Sequence, residues 1–286
     1  MQQYLLRYGE IGTKSPNVRK NFEDILIQNI ERMFLKENKE VFIERERGRI
    51  FAFTEKDSAN LFSKIFGLVS YSPVKEIPSD IESIRRESRE MVDDFRGSFA
   101  VRARRTGNHD FSSQEAAAEA GEAIFEKKPD LEVDLDKPDH ELNLEIRDKL
   151  TYLFTEINDA PGGLPLSSQG KVAAYVENVN DFVATWLIMK RGARPYVFYP
   201  SESDWPEKLE IWDPNLKKLG EGNLDDFLSL DLPEEIDAVI LGFTLEDYKK
   251  IEHDLPVFNP LIGFTEERIK KTLDRISILS NQELHF

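Results

Sequence analysis

Four arginines, Arg96, Arg102, Arg104 and Arg105, fall between Phe95 and His109 without an acid among them. A guanidinium presents its donors as a planar fork that matches phosphate oxygens. Arg102, Arg104 and Arg105 are therefore the residues whose type and spacing suit contact with a phosphate backbone. Arg102 and Arg104 share one face of an alternating stretch, and Arg105 begins the turn after it. The alternative is a solvated edge paired with nearby Glu87, Glu90 or Asp93. Asn108 and His109 follow, just ahead of a helix start at Ser112 or Ser113, whose N-terminus favours anions. Other chemistries are excluded by composition. The 286 residues contain no cysteine, which removes disulfides, thiolate metal sites, iron–sulfur clusters and cysteine nucleophiles or persulfide carriers. The four histidines, His109, His140, His253 and His285, are not paired at metal-ligand spacing, so no metal site is expected. The net charge of -16 argues against a general polyanion binder. It is shared unevenly: residues 171–286 carry 13 basic against 22 acidic side chains. A local arginine patch on an acidic body is compatible with selective nucleic-acid binding.

Three groups of elements must hold these residues. Tyr4–Tyr8 reads as a strand, and Pro16 suits the first turn of a helix in which Phe22, Ile25, Leu26, Ile30 and Met33 recur at helical spacing. Strands at 41–43 and 49–53, joined by a charged turn at Arg45–Gly48, a helix from Asp57 to Phe66 and a strand at 69–73 complete a ferredoxin-like order, giving a first domain over 1–75. A helix from Asp80 to Asp94, the strand Ser98–Arg104, a helix from Ser112 or Ser113 to about Phe125 with Glu115 in its first turn, and strands at 133–135, 142–146 and 150–156 give a second domain over 76–170. Residues 171–286 alternate strands at 172–176, 195–199, 238–242 and 257–260 with helices at 181–191 and 266–279, which predicts a parallel α/β sheet. No apolar run reaches the ~20 residues of a membrane span, and the first residues lack the apolar core of a signal peptide, so a cytoplasmic protein without membrane contact is expected.

Several stretches resemble the tRNA 4-thiouridine synthetases, also called thiamine-biosynthesis sulfurtransferases. They are Tyr8-Gly9-Glu10-Ile11-Gly12 with Lys14, Phe99 to Arg105 with the following helix, Val133-Asp134-Leu135, Pro138-Asp139 and Glu145-Ile146-Arg147. Pro161-Gly162-Gly163-Leu164-Pro165, Gly170-Lys171-Val172, Met189-Lys190-Arg191-Gly192 and Pro256 to Gly263 extend the likeness to nearly the whole chain. The resemblance implies a ferredoxin-like domain, a THUMP domain and a PP-loop pyrophosphatase-like domain, in that order. It also implies a reaction in which ATP activates uracil at tRNA position 8 and sulfur displaces AMP, with the first two domains binding tRNA and THUMP gripping its 3′ end. On that reading Arg102, Arg104, Arg105, Asn108, His109, Lys14, Arg19, Lys20, Gly162, Gly163 and Lys171 are candidate RNA contacts. Bland readings stand beside them: a polar turn at 108–109, loop and helix exposure for Lys14, Arg19 and Lys20, a chain turn at Gly162-Gly163, and a strand-end lysine at 171. A homodimer is expected from the family.

The nucleotide loop departs from the family pattern. A PP-loop reads Ser-Gly-Gly-x-Asp-Ser, whose glycines let backbone N–H groups approach phosphates at a helix N-terminus. Here the aligned residues are Glu177-Asn178-Val179-Asn180-Asp181-Phe182. Glu177 brings a carboxylate to the phosphate position, at a cost on the order of 4 kcal/mol at ~4 Å and an effective dielectric of ~20. Val179 would be strained if its position needs positive φ, and Phe182 removes a hydroxyl. Asp181 keeps the family identity but is expected to cap the following helix. Gly242-Phe243-Thr244-Leu245-Glu246-Asp247 and Asn259 are altered as well. The expectation is a tRNA-binding family member with a degenerate PP-loop (Glu177, Asn178, Val179, Asp181), acting as a recognition subunit or atypical sulfurtransferase beside a catalytic or sulfur-donor partner. The alternatives are an active enzyme with an altered site for ATP and Mg, and an interaction scaffold that binds no RNA. Trp186 is expected in the core, and Trp205 and Trp212 at an interface.

Overall fold

The computed structural model describes residues 1–46 and 49–284. Half of the charged turn expected at Arg45–Gly48, and His285, lie outside the described residues. Three five-stranded sheets are distributed over two compact units. One unit comprises Leu6–Tyr71 with the chain from Asp159 onward; the other comprises Gln2–Leu5 with Ser72–Asn158.

The first sheet runs Asn158–Asp159, Leu68–Pro73, Gln2–Tyr8, Arg49–Thr54, Val41–Glu46. Leaving aside the two-residue edge, the chain order across it is 4-1-3-2, the ferredoxin-like arrangement. The helix Pro16–Lys36 carries proline in its first turn and buries Phe22, Leu26, Ile30, Met33 and Phe34. The second helix of this motif, expected over Asp57 to Phe66, is a 3-10 helix, Lys56–Lys64. Within it the Ser63 hydroxyl donates to Asn60 O, while the buried Ser58 hydroxyl has no partner among the described residues.

The second unit's sheet runs Lys75–Pro78, Leu150–Phe154, His140–Ile146, Ser98–Arg105, Glu132–Val133. Ser98–Arg105 pairs parallel with His140–Ile146 from Phe99 to Arg105. Arg105 therefore closes the strand; it does not begin the turn. Helices Ile81–Glu90 and Ser113–Lys127 cover one face, burying Ile84, Ala116, Ala120 and Ile124 against Phe99, Leu142 and Leu144.

The third sheet is parallel throughout, in the order Lys217–Glu221, Arg194–Tyr199, Lys171–Tyr175, Ala238–Ile240, Val257–Phe258. In chain order this is 3-2-1-4-5, a doubly wound sheet. Strand alternation builds two cores. Val172, Ala174, Val197 and Ile240 face the helices Val179–Lys190 and Glu266–Ser280, while Ala173, Tyr175, Phe198 and Val239 face Phe227 and Ile236. Phe66 of the ferredoxin-like segment enters the first of these cores, its ring 5.4 Å from Trp186 and 5.5 Å from Trp212. Trp212 is thus buried, 3% exposed, where Phe66 of the ferredoxin-like segment meets the parallel-sheet core, and Trp205 lies 5.0 Å from Phe182.

Candidate RNA interface and nucleotide crevice

In a doubly wound sheet the ligand crevice lies beyond the carboxyl ends of the two strands where the winding reverses. Here those strands are Lys171–Tyr175 and Ala238–Ile240, and Glu177, Asn178, the first turn of the following helix and Gly242 stand at that point. Five of the backbone donors there are already taken. Asp181 is the third residue of the helix, and its Oδ2 accepts from the N–H groups of Glu177 (3.2 Å) and Asn178 (3.3 Å). Its Oδ1 accepts from Gly242 N–H at 3.0 Å. The Asn178 side chain, the true N-cap, accepts from the N–H groups of Asn180 and Asp181. The expected cap at Asp181 is thus corrected: Asp181 is the reciprocal partner of a capping box, because the helix starts at Val179 and not beyond it. Val179 is not among the described residues with positive φ, so the strain expected there is absent.

The crevice is tight and anionic. A Cβ at Gly242 would lie 2.5 Å from both Asp181 N and Oδ1, so this glycine is what lets the two segments close. Burial pushes the Asp181 carboxyl up to about 6, against the three backbone donors that pull it down. Burial, then the Glu177 and Asp181 carboxylates, push Tyr175 up to about 12, with Asp226 adding to the effect. Lys171 sits at the opposite end of its strand, where its Nζ binds Glu235 at 2.7 Å. Residue reasoning missed the role of Gly242; the signal was present in a glycine directly after a buried apolar strand.

The arginines lie on the second unit. Arg102 is held, its Nε donating to Glu141 at 3.0 Å and its guanidinium to Leu135 O at 2.6 Å. Its carboxylate is thus Glu141 across the sheet, while Glu87 and Asp93 pair with Lys75 and Lys127. Arg104 is exposed and has no hydrogen-bond or ion-pair partner among the described residues. Arg105 is exposed and, among the described residues, donates only to the loop carbonyl of Gly107 at 3.3 Å. Gly107, at φ 95°, is required because a Cβ there would meet Asp148 Oδ1. This close approach folds 106–109 onto 147–149, where His109 Nε2 lies 2.9 Å from Arg147 O. Asn108 is exposed beside it, and the helix that follows begins with a capping box between Ser112 and Glu115. The structure therefore gathers Arg104, Arg105, Asn108, His109 and a helix N-terminus at one end of this sheet. Lys14, Arg19, Lys20, Gly162, Gly163 and Lys171 belong to the other unit. There Arg19 donates to Gly12 O and Lys14 O, Lys20 is exposed, and Glu10 pairs with Arg191 at 3.0 Å.

Two family models match, the ThiI ferredoxin-like domain over residues 3–72 and the THUMP domain over 75–156. A "Probable tRNA sulfurtransferase" of Saccharolobus solfataricus is 31% identical over 311 residues, covering 91% of this chain and 82% of that protein. The chain belongs to the tRNA sulfurtransferase family. A member of this family from Methanothermobacter thermautotrophicus is 41% identical over 201 residues, 66% of this chain. The chain spans about half the length of that relative, 50%. Among solved structures, PH1313 from Pyrococcus horikoshii superposes with a TM-score of 0.81 at 31% identity, over 97% of this chain and all of that one. A 4-thiouridine synthetase, solved as an RNA complex with bound ATP, shares the fold with a TM-score of 0.74 at 23% identity, over 98% of this chain and 86% of that one. The fold is thus mixed α/β, with ferredoxin-like, THUMP and parallel-sheet parts. Among the described residues no helix is long and apolar enough to cross a membrane, and no group of three or more His, Cys, Asp or Glu is placed to hold a metal ion.

Proposed function

We propose that this chain is a tRNA-binding recognition protein of its family, whose third domain no longer turns over ATP. In this reading residues 1–75, 76–170 and 171–286 are three domains. The first two hold the tRNA acceptor stem and 3′ end, through Arg104, Arg105, Asn108 and His109 on the THUMP side. The chain acts in tRNA thiolation as a homodimer that brings the RNA to a catalytic or sulfur-donor partner. A solved relative is a 4-thiouridine synthetase–RNA complex with bound ATP, which makes both ligands the ones to test.

The observation that carries the reading is the state of the crevice loop. A triphosphate held at a helix N-terminus needs free backbone N–H groups. Those of Glu177, Asn178, Asn180, Asp181 and Gly242 all donate to the chain's own side chains. Glu177 adds a further negative charge, and no free cation of the loop offsets it. The residues present do not fit ATP with Mg, and no chemical step is assigned to them.

The test is AMP release from ATP in the presence of magnesium, sulfide and unmodified tRNA, measured beside tRNA binding by the same protein. The expected result is tRNA binding without tRNA-dependent AMP. AMP formed only when tRNA is added would establish an active enzyme and sink the recognition reading. Neither binding nor AMP would leave the RNA-free scaffold as the function.

A further inference from the structure

The helix Glu266–Ser280 starts differently from three others in the chain. Ser113–Lys127, Val179–Lys190 and Leu224–Leu228 each carry an acid as third residue, Glu115, Asp181 and Asp226, and it completes a capping box. In Glu266–Ser280 the third residue is Arg268, whose backbone N–H donates to the Thr265 hydroxyl at 3.3 Å. A cation in the first turn faces the positive end of the helix, which disfavours it. Glu267, its neighbour in sequence, pairs with Lys271 at 2.7 Å instead. The helix therefore gains nothing from this charge.

Arg268 is exposed, and its guanidinium has no hydrogen-bond or ion-pair partner among the described residues. Lys217, Lys249 and Lys270 are exposed and unpaired in the same sense. Arg268 differs from them in what lies beneath it. Its guanidinium carbon stands 3.9 Å from the centre of the Phe264 ring. Phe264 is half-buried and packs against the core that contains Leu261, Ile269 and Leu273. Its N–H donates to Leu261 O at 2.8 Å, so the ring is fixed from below. The other cations placed over rings among the described residues from 171 onward are lysines, which have no plane to offer. The pair lies past the carboxyl end of the edge strand Val257–Phe258, the same side of the parallel sheet as the crevice. Leu241 N–H, one residue before Gly242, donates to Phe258 O at 3.0 Å. The segment running from there to Phe264 exposes Phe258 and Ile262.

We propose that Arg268 on Phe264 is a stacking platform for an unpaired base of the bound RNA. A guanidinium is planar and weakly hydrated, so a base forms the next layer on its solvent side. A base is uncharged and stacks without regard to sequence. Glu266 and Glu267 therefore do not oppose it, as they would oppose a phosphate. The platform rests on the tRNA-binding reading above and adds a base contact outside the THUMP unit, beside the crevice and not in it.

The experiment measures binding of unmodified tRNA transcript to the full chain across a range of salt concentrations, followed by ultraviolet cross-linking of the complex. Arg268→Ala removes plane and charge, Arg268→Lys removes the plane alone, and Arg268→Tyr removes the charge alone. The expected result is about five- to tenfold weaker binding for Arg268→Ala and Arg268→Lys, as for one lost stacked base, with near wild-type affinity in Arg268→Tyr. The log–log salt slope of Arg268→Lys stays at the wild-type value. Ultraviolet light joins a nucleotide to the peptide that contains Phe264. Should Arg268→Ala fail to fold, the other two variants carry the test. Wild-type affinity in Arg268→Ala and Arg268→Lys, while Arg104→Ala with Arg105→Ala weakens binding, would overturn the platform and leave the tRNA reading standing. Full affinity in Arg268→Lys, with weaker binding and a slope shallower by about 0.9 in Arg268→Ala and Arg268→Tyr, would make Arg268 a phosphate contact and overturn stacking. Unchanged tRNA affinity in all three variants, with self-association lost in Arg268→Ala by sedimentation, would give this surface to a protein contact. No binding of tRNA by the wild type removes both the platform and the reading beneath it.

Discussion

The use of Asp181 is set by its neighbours. With Ser-Gly-Gly ahead of it, a loop of this kind offers N–H groups to a ligand; with Glu177 and Asn178 there, the same backbone turns its donors onto Asp181 and Asn178. This exchange has a pH signature. The carboxyl titrates at about 6 in the folded protein and near the ordinary 3.8 when unfolded. Between those values the native state binds the extra proton, so this group adds stability as pH falls from about 6 to about 4 and adds nothing further above 6. The shift corresponds to a swing on the order of 3 kcal/mol. Asp93, Glu115, Asp134, Asp139 and Glu235, whose pKa values are lowered, act in the opposite direction at lower pH. The measurement is therefore a difference: urea unfolding of wild type and Asp181→Asn at pH 7.5, 6 and 5. The stability gap between them should shift in favour of the wild type as pH falls, by at least about 1 kcal/mol. A gap that does not change with pH would mean the carboxyl stays ionised in the fold. The carboxylate's place at the start of a helix was legible in the sequence. Its role was not, because that depends on Gly242, 61 positions away.

At the scale of elements, periodicity carried most of the reading. The spacing of Phe22, Leu26, Ile30 and Met33 set the first helix, and Ser112 with Glu115 set the start of the helix over the arginine strand. The failures have local causes. Residues 56–64 were legible as a helix, but it is a 3-10 helix, in which the Ser63 hydroxyl donates to Asn60 O. The strand Lys75–Pro78 is short and bounded by prolines, and it exists through its ladder to Leu150–Phe154, a pairing with no sequence signal. The breaker-rich turn at Pro161–Pro165 was legible as a turn, yet its two glycines do different work. Both have positive φ, which costs an alanine roughly 1–2 kcal/mol. Gly163 additionally faces Lys190 O at a distance that no side chain tolerates, whereas Gly162 faces open space. Gly162→Ala should lower stability by about 1 kcal/mol, and Gly163→Ala by about 3 kcal/mol or more, since its helix end must also move. Thermal unfolding of the two variants checks the order. Equal losses would show that the turn can shift away from the helix at little cost.

At the scale of the whole molecule, charge and fold set opposite demands. A protein of net charge -16 repels a polyanion at long range, so binding must come from a few local cations whose counter-charges are absent. The positions of the arginines were legible as a run without acids. Which of them remain available was not, because Glu141 reaches Arg102 only through the sheet register that sets it beside that strand. This separates two residues that look equivalent in sequence. Arg104 is exposed and unpaired among the described residues, while Arg102 would have to leave Glu141 and Leu135 O to meet a phosphate. Arg104→Ala should weaken tRNA binding about three- to tenfold near 0.1 M salt and reduce the log–log slope by about 0.7–0.9, the amount for one phosphate contact. Arg102→Ala should change the slope by much less, and its loss of affinity should be smaller. Filter binding between 50 and 200 mM salt distinguishes them. Equal slope changes would mean that tRNA draws Arg102 out of its ion pair. An unchanged slope in Arg104→Ala would move the RNA surface off this end of the THUMP sheet, because an acidic protein has little unspecific attraction to make up for a lost contact.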